Sequence, residues 1–69
     1  MSNHTYKTLE ITGTSPLSIQ QAIENAIADT GRSVRNMRWF EVLETRGHIA
    51  EGKVDHWQVT LKISFTIEP

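Results

Sequence analysis

From His56 to Glu68 polar and apolar residues alternate without a break. Trp57, Val59, Leu61, Ile63, Phe65 and Ile67 are apolar, while His56, Gln58, Thr60, Lys62, Ser64, Thr66 and Glu68 are polar. A period of two residues sends successive side chains to opposite faces, so this segment is a long β-strand with one face buried and one face free. Such a strand needs a partner for its backbone and a cover for its apolar face, and the rest of the chain has to supply both.

The pairing partner lies just upstream. The run from Met37 to Ala50 reads as another strand, joined to the alternating one by a tight turn at Glu51-Gly52. Pairing Ala50 with Lys53 across that turn sets Phe40 opposite Ile63, Val42 opposite Leu61 and Trp39 opposite Ser64. The apolar residues of both strands then share a face, whereas a slip of one residue would bury polar side chains.

Cover comes from a helix. Ser15 suits its N-cap, Pro16 its first position and Gly31 its C-terminal stop. Between them Ile19, Ala22, Ile23, Ala26 and Ile27 recur at helical spacing, with Gln20, Gln21, Glu24 and Asn25 on the opposite side. The small residues Ala22, Ala26 and Ala28 suggest close approach to a sheet. Ahead of the helix, Thr5 to Thr12 carries Tyr6, Leu9 and Ile11 in a short first strand that ends at the turn-prone Gly13-Thr14-Ser15. Residues 1–69 thus read as one α+β domain of order β-α-β-β, a three-stranded antiparallel sheet against one helix, with no linker or repeat.

The helix is too short for the sheet. About 16 helical residues span roughly 24 Å, against roughly 46 Å for a strand of about 14 residues. A domain of this size also buries only about 60% of the surface its unfolded chain exposes. Among its 69 residues there is no cysteine, which removes disulfides and thiolate metal sites as staples. Self-association is the staple that remains.

A formal net charge of −1 argues against the phosphate-neutralising surface of a nucleic-acid binder. No apolar run long enough for a membrane span or a secretory leader is present. The expectation is a cytoplasmic homo-oligomer without nucleic-acid or membrane partners.

Alternation turns Trp39 to the outer face, away from Phe40 and Val42, where a large aromatic has no core of its own. An indole there either anchors a protein contact or offers a flat face for stacking a planar aromatic ligand. Gln58 shares that face, with a carboxamide that can both donate and accept along a heterocycle edge. Six strand positions, roughly 20 Å, separate Gln58 from the residue opposite Trp39. If both touch one ligand, they come from different subunits unless the strands bend sharply. Arg32, Arg35 and Arg38 follow the helix, where cations complement its negative end; a phosphate is the other partner they suit. His4, His48 and His56 show no ligand spacing for zinc and read as surface histidines. No phosphate-cradling glycine loop, nucleophile elbow or paired-carboxylate pattern occurs.

Gly13-Thr14-Ser15, Trp39-Phe40-Glu41-Val42, Arg46-Gly47-His48 and Gln58-Val59 with the alternating strand through Phe65 together resemble the dodecins, small flavoproteins, and their bacterial members in particular. The resemblance runs over nearly the whole chain. It implies a hollow homododecamer in which flavins, FMN or riboflavin, stack between symmetry-related copies of Trp39 while Gln58 hydrogen-bonds the ring. It further implies that Arg46 is a site residue near the flavin, and that coenzyme A also binds, with Arg32 or Arg35 at its phosphates. Simple counting puts Arg46 on the helix side with Phe40. Either a bulge re-aims it, or that end of the strand has left the core.

The function these readings favour is non-catalytic: storing, buffering or photoprotecting flavin, since an electron-rich indole against the ring quenches its excited state. A flavin-dependent oxidoreductase and a purely structural oligomer are the alternatives. The first would need access for an electron donor at the ring edge; the second would bury Trp39 in a dry contact.

Overall fold

The computed structural model describes residues 3–67. Its elements run β1 (Tyr6–Ser15), α1 (Ile19–Thr30), β2 (Met37–Ala50) and β3 (Lys53–Thr66). The strands form one antiparallel sheet of order β1-β3-β2, so the long alternating strand sits in the middle. The order β-α-β-β and the single helix match the expectation; Glu68, expected to continue the last strand, lies outside the described residues.

The core is the alternation made solid. Val59, Leu61 and Ile63 of β3 are buried with Ala22 and Ala26 of α1, and Leu9, Ile11, Ile19, Ile23, Ile27 and Met37 pack around them. Gly13 lies in the sheet under the helix, where an added Cβ would meet the Ala22 carbonyl and stand 2.7 Å from the Ala26 Cβ. Gly13, Thr14 and Ser15 therefore continue β1, opposite Val59, Gln58 and Trp57, instead of turning out of it. What looks turn-prone in sequence is a strand end stripped of side chain so that the helix can approach.

The helix start shifts as a result. Ser18, not Ser15, is the N-cap: its extended backbone and its Oγ, which accepts from Gln21 N–H at 3.0 Å, begin α1 at Ile19. Ser15 is buried in the strand and accepts from Leu17 N–H at 2.9 Å, turning the chain through Pro16. Gly31 ends the helix as expected, but in right-handed geometry, φ −63° and ψ −13°. The positive angles fall at Asn36, φ 64°, and at the hairpin turn, where Glu51 and Gly52 at φ 54° and 74° make the tight connection that antiparallel strands favour.

Three irregularities break the register of β2 with β3, between Met37 and Trp39, between Val42 and Glu44, and between His48 and Ile49. At the first, Arg38 is the extra residue, so Met37 turns inward to the core while Trp39 turns outward. At the second, Leu43 is extra; at the third, Asp55 on β3 is. Each inverts the alternation along the remainder of its strand.

Helix α1 packs on β1 and β3. Phe40 and Val42 occupy the inner face opposite Ile63 and Leu61, as expected, yet remain 45% and 40% exposed. Within one chain the helix covers them only in part, and the sheet extends as a ribbon in a molecule 56 × 20 × 13 Å.

Candidate functional site

The outer face of the sheet, away from α1, is built by register. At one end Trp39 stands opposite Ser64 and Tyr6 opposite Thr66. Their rings meet across β3 with centroids 4.7 Å apart and planes at 59°, a tilted pair worth about 1 kcal/mol beyond the area it buries. Beneath them Ser64 is buried and satisfied by Thr8, Oγ to Oγ1 at 2.9 Å. The indole is 50% exposed. Trp39 thus has one side steadied by Tyr6 and the rest free, on the face expected for it.

In the middle of this face Lys62 lies between Glu10 and Glu41 on the flanking strands, cross-strand pairs of opposite charge that support the register. Thr12 and Thr60 hydroxyls then meet at 3.0 Å.

At the far end Arg46 lies directly opposite Gln58, and His48 opposite His56. The extra Leu43 produces this arrangement: with it, Glu44, Arg46 and His48 point outward and Thr45 and Gly47 inward. Of the two ways to account for Arg46, the bulge is the one found, and the arginine shares a face with Gln58. Arg46 Nη1 stands 3.5 Å from Glu44 Oε1, both half exposed, an ion pair that solvent screening leaves weak and easily exchanged for another partner. Gln58 Oε1 accepts from His48 Nε2 at 3.1 Å.

Trp39 and the Arg46–Gln58 pair are therefore on one face but not in one place, since six positions of β3 separate them, roughly 20 Å at strand rise. The other expected residues stand elsewhere. Arg32 pairs with Asp29 at 3.4 Å, both exposed, on the rim of a cleft of about 660 Å³ between β1 and the end of α1, lined also by Gly13, Thr14 and Asn25. Arg35 is exposed in the connection to β2. Arg38 instead donates from Nε to Thr66 Oγ1 at 2.9 Å, so the three arginines do not converge on one partner.

Sequence alone gives two residues of the face no site role. Tyr6 reads with Leu9 and Ile11 as a residue of the first strand, but register puts it outside, against Trp39. His48 reads as an ordinary surface histidine, although it touches Gln58. Both become visible once cross-strand partners are assigned. Among the described residues no group of His, Asp and Glu is arranged to hold a metal ion, and no helix is long and apolar enough to cross a membrane.

The fold and face define a small α+β domain that carries Trp39, Arg46 and Gln58 on the outer side of its sheet and leaves Phe40 and Val42 of the apolar side partly exposed. Comparison with known proteins gives it a family. Residues 5–68 match the dodecin family, and a dodecin of Thermus thermophilus is 41% identical over 63 residues, 91% of each chain. The structure of dodecin from Streptomyces coelicolor is similar at a TM-score of 0.95 and 48% identity, covering 100% of this chain and 99% of that one. The dodecin from Streptomyces davaonensis gives 0.95 and 46%, covering 99% and 100%. The chain belongs to the dodecin family.

Proposed function

We propose that this protein is a non-catalytic flavin store of the cytoplasm, holding FMN or riboflavin between the subunits of a homododecamer. The observation that carries this reading is the outward, half-exposed indole of Trp39 on the same face as Gln58 and Arg46 but roughly 20 Å from them. A planar heterocycle stacked on Trp39 meets Gln58 and Arg46 only if these come from a neighbouring subunit.

The side chains suit an isoalloxazine. Trp39 provides the stacking face, the Gln58 carboxamide provides donor and acceptor for the polar ring edge, and Arg46 provides a cation for a carbonyl oxygen or a phosphate. When bound, a flavin brings a photoexcitable, electron-accepting ring. Trp39, an electron-rich donor held face to face with it, returns excitation to the ground state and so suppresses photochemistry. Coenzyme A is the second ligand we propose, its phosphates set against the exposed Arg32 and Arg35, with Asp29 competing for Arg32.

Absorbance and light-scattering mass of freshly purified protein, followed by titration of riboflavin fluorescence, test the reading. A dodecameric mass with strong quenching supports it. A colourless monomer that leaves riboflavin emission unchanged refutes it, and steady oxidation of reduced nicotinamide by the flavin-loaded protein would favour the oxidoreductase instead.

A further inference from the structure

Beside Gln58 the outer face carries two imidazoles with no role assigned so far. The extra residue Asp55 shifts the register so that His48 and His56, on neighbouring strands, lie opposite each other. Their rings stack with centroids 4.3 Å apart and planes at 19°. His56 is fixed in turn, its Nδ1 donating to Asp55 Oδ2 at 2.7 Å. The ring plane of His48 is thus set by a neighbour that is itself tethered.

From that plane His48 Nε2 reaches Gln58 Oε1 at 3.1 Å. An oxygen acceptor requires the proton to be on Nε2, and the neutral imidazole with that proton and the imidazolium both provide it. A free glutamine amide can turn over and exchange its donor and acceptor at little cost; one bonded through Oε1 cannot do so without losing the bond. The consequence for a ligand is a fixed pattern, with the Gln58 NH₂ group presented as donor and one lone pair of Oε1 left over.

Resting on the flavin reading, we propose that His48 is a positioning residue for the ligand site. Its Nε2–H holds the Gln58 carboxamide in the orientation that donates to a ring carbonyl, and the His56–Asp55 pair holds His48. The site accordingly prefers heterocycles whose edge offers a carbonyl acceptor. His48 itself need not touch the ligand.

Riboflavin fluorescence titrations on the assembled full-length protein test this, with light-scattering mass as the check on assembly. In a glutamine side chain the amide nitrogen falls near the position of imidazole Nε2, and in asparagine near that of Nδ1. His48→Ala and His48→Asn are expected to raise the riboflavin Kd roughly fivefold, the worth of one ordinary hydrogen bond, while His48→Gln restores it to within about twofold of the parent. If His48→Ala fails to assemble, the contrast between Gln and Asn decides alone. Variants that match a riboflavin-binding parent, or Asn rescuing as well as Gln, overturn the role of His48 only. A parent protein that leaves riboflavin unquenched overturns the flavin reading itself.

Discussion

Arg46 lies directly opposite Gln58 on the outer face of the sheet, although unbroken alternation from Phe40 would put it on the helix side. The single extra residue Leu43 accounts for the difference. Between the bulges at Arg38 and Leu43, the even positions Phe40 and Val42 face inward; from Glu44 onward even positions face outward. A bulge therefore lets one strand give Phe40 and Val42 to the apolar face and Arg46 and His48 to the polar one, with no change of strand.

Arg46→Ala is expected to weaken flavin binding by about tenfold or more, the range for losing a charged hydrogen-bond donor. Because Arg46 is half exposed and its partner Glu44 is on the surface, fold and assembly should survive. Fluorescence titration beside a light-scattering mass checks this. Full affinity in an intact assembly would remove Arg46 from the site.

At Trp39, stacking and quenching should separate. Trp39→Ala removes the flat surface and should lower flavin affinity on the order of tenfold or more, since area burial is lost along with about 1 kcal/mol of ring contact. Trp39→Phe keeps a flat ring but a much poorer electron donor, so bound flavin should retain part of its affinity and recover much of its emission. Time-resolved fluorescence at saturating protein distinguishes the two losses. A Phe variant that quenches as completely as the parent would show that electron donation by Trp39 is not the quenching step.

Element order, the hairpin and the outward Trp39 were legible because each rests on a local signal: period two in β3, Glu51-Gly52 between apolar runs, and the contrast of Trp39 with Phe40. Positions depending on a neighbour were not. Two serines, Ser15 and Ser18, both suit a helix cap, and only burial of Ser15 in the sheet decides for Ser18. The bulges at Arg38, Leu43 and Asp55 carry no residue signature, so the facing of Met37 and Arg46 could not be counted out. Tyr6 and His48 gain meaning from partners on another strand, which periodicity along one strand does not name.

Gly13 should tolerate no side chain. A Cβ there would collide with the Ala22 carbonyl and come within 2.7 Å of the Ala26 Cβ, and neither helix backbone nor a buried methyl can move aside cheaply. Gly13→Ala is expected to destabilise the protein by about 1–3 kcal/mol through overpacking. Thermal or denaturant unfolding at matched protomer concentration measures it, the concentration mattering because association adds to apparent stability. An unchanged midpoint would mean that the helix does not ride so closely on Gly13.

The inner face of β2 makes association testable without any ligand. Phe40 and Val42 are on the apolar side yet remain 45% and 40% exposed, because the 12 residues of α1 span roughly 18 Å and the 14 of β2 roughly 46 Å. A strip of this kind is covered by other subunits or it invites aggregation. Val42→Asp puts a charge where desolvation is needed for contact, so the light-scattering mass should fall to small, concentration-dependent species, with thermal stability falling in step. Flavin quenching should vanish in the same variant although Trp39, Arg46 and Gln58 are intact, since roughly 20 Å of strand separates Trp39 from the other two within a subunit. A variant that dissociates but still quenches riboflavin would show that one subunit suffices for the site.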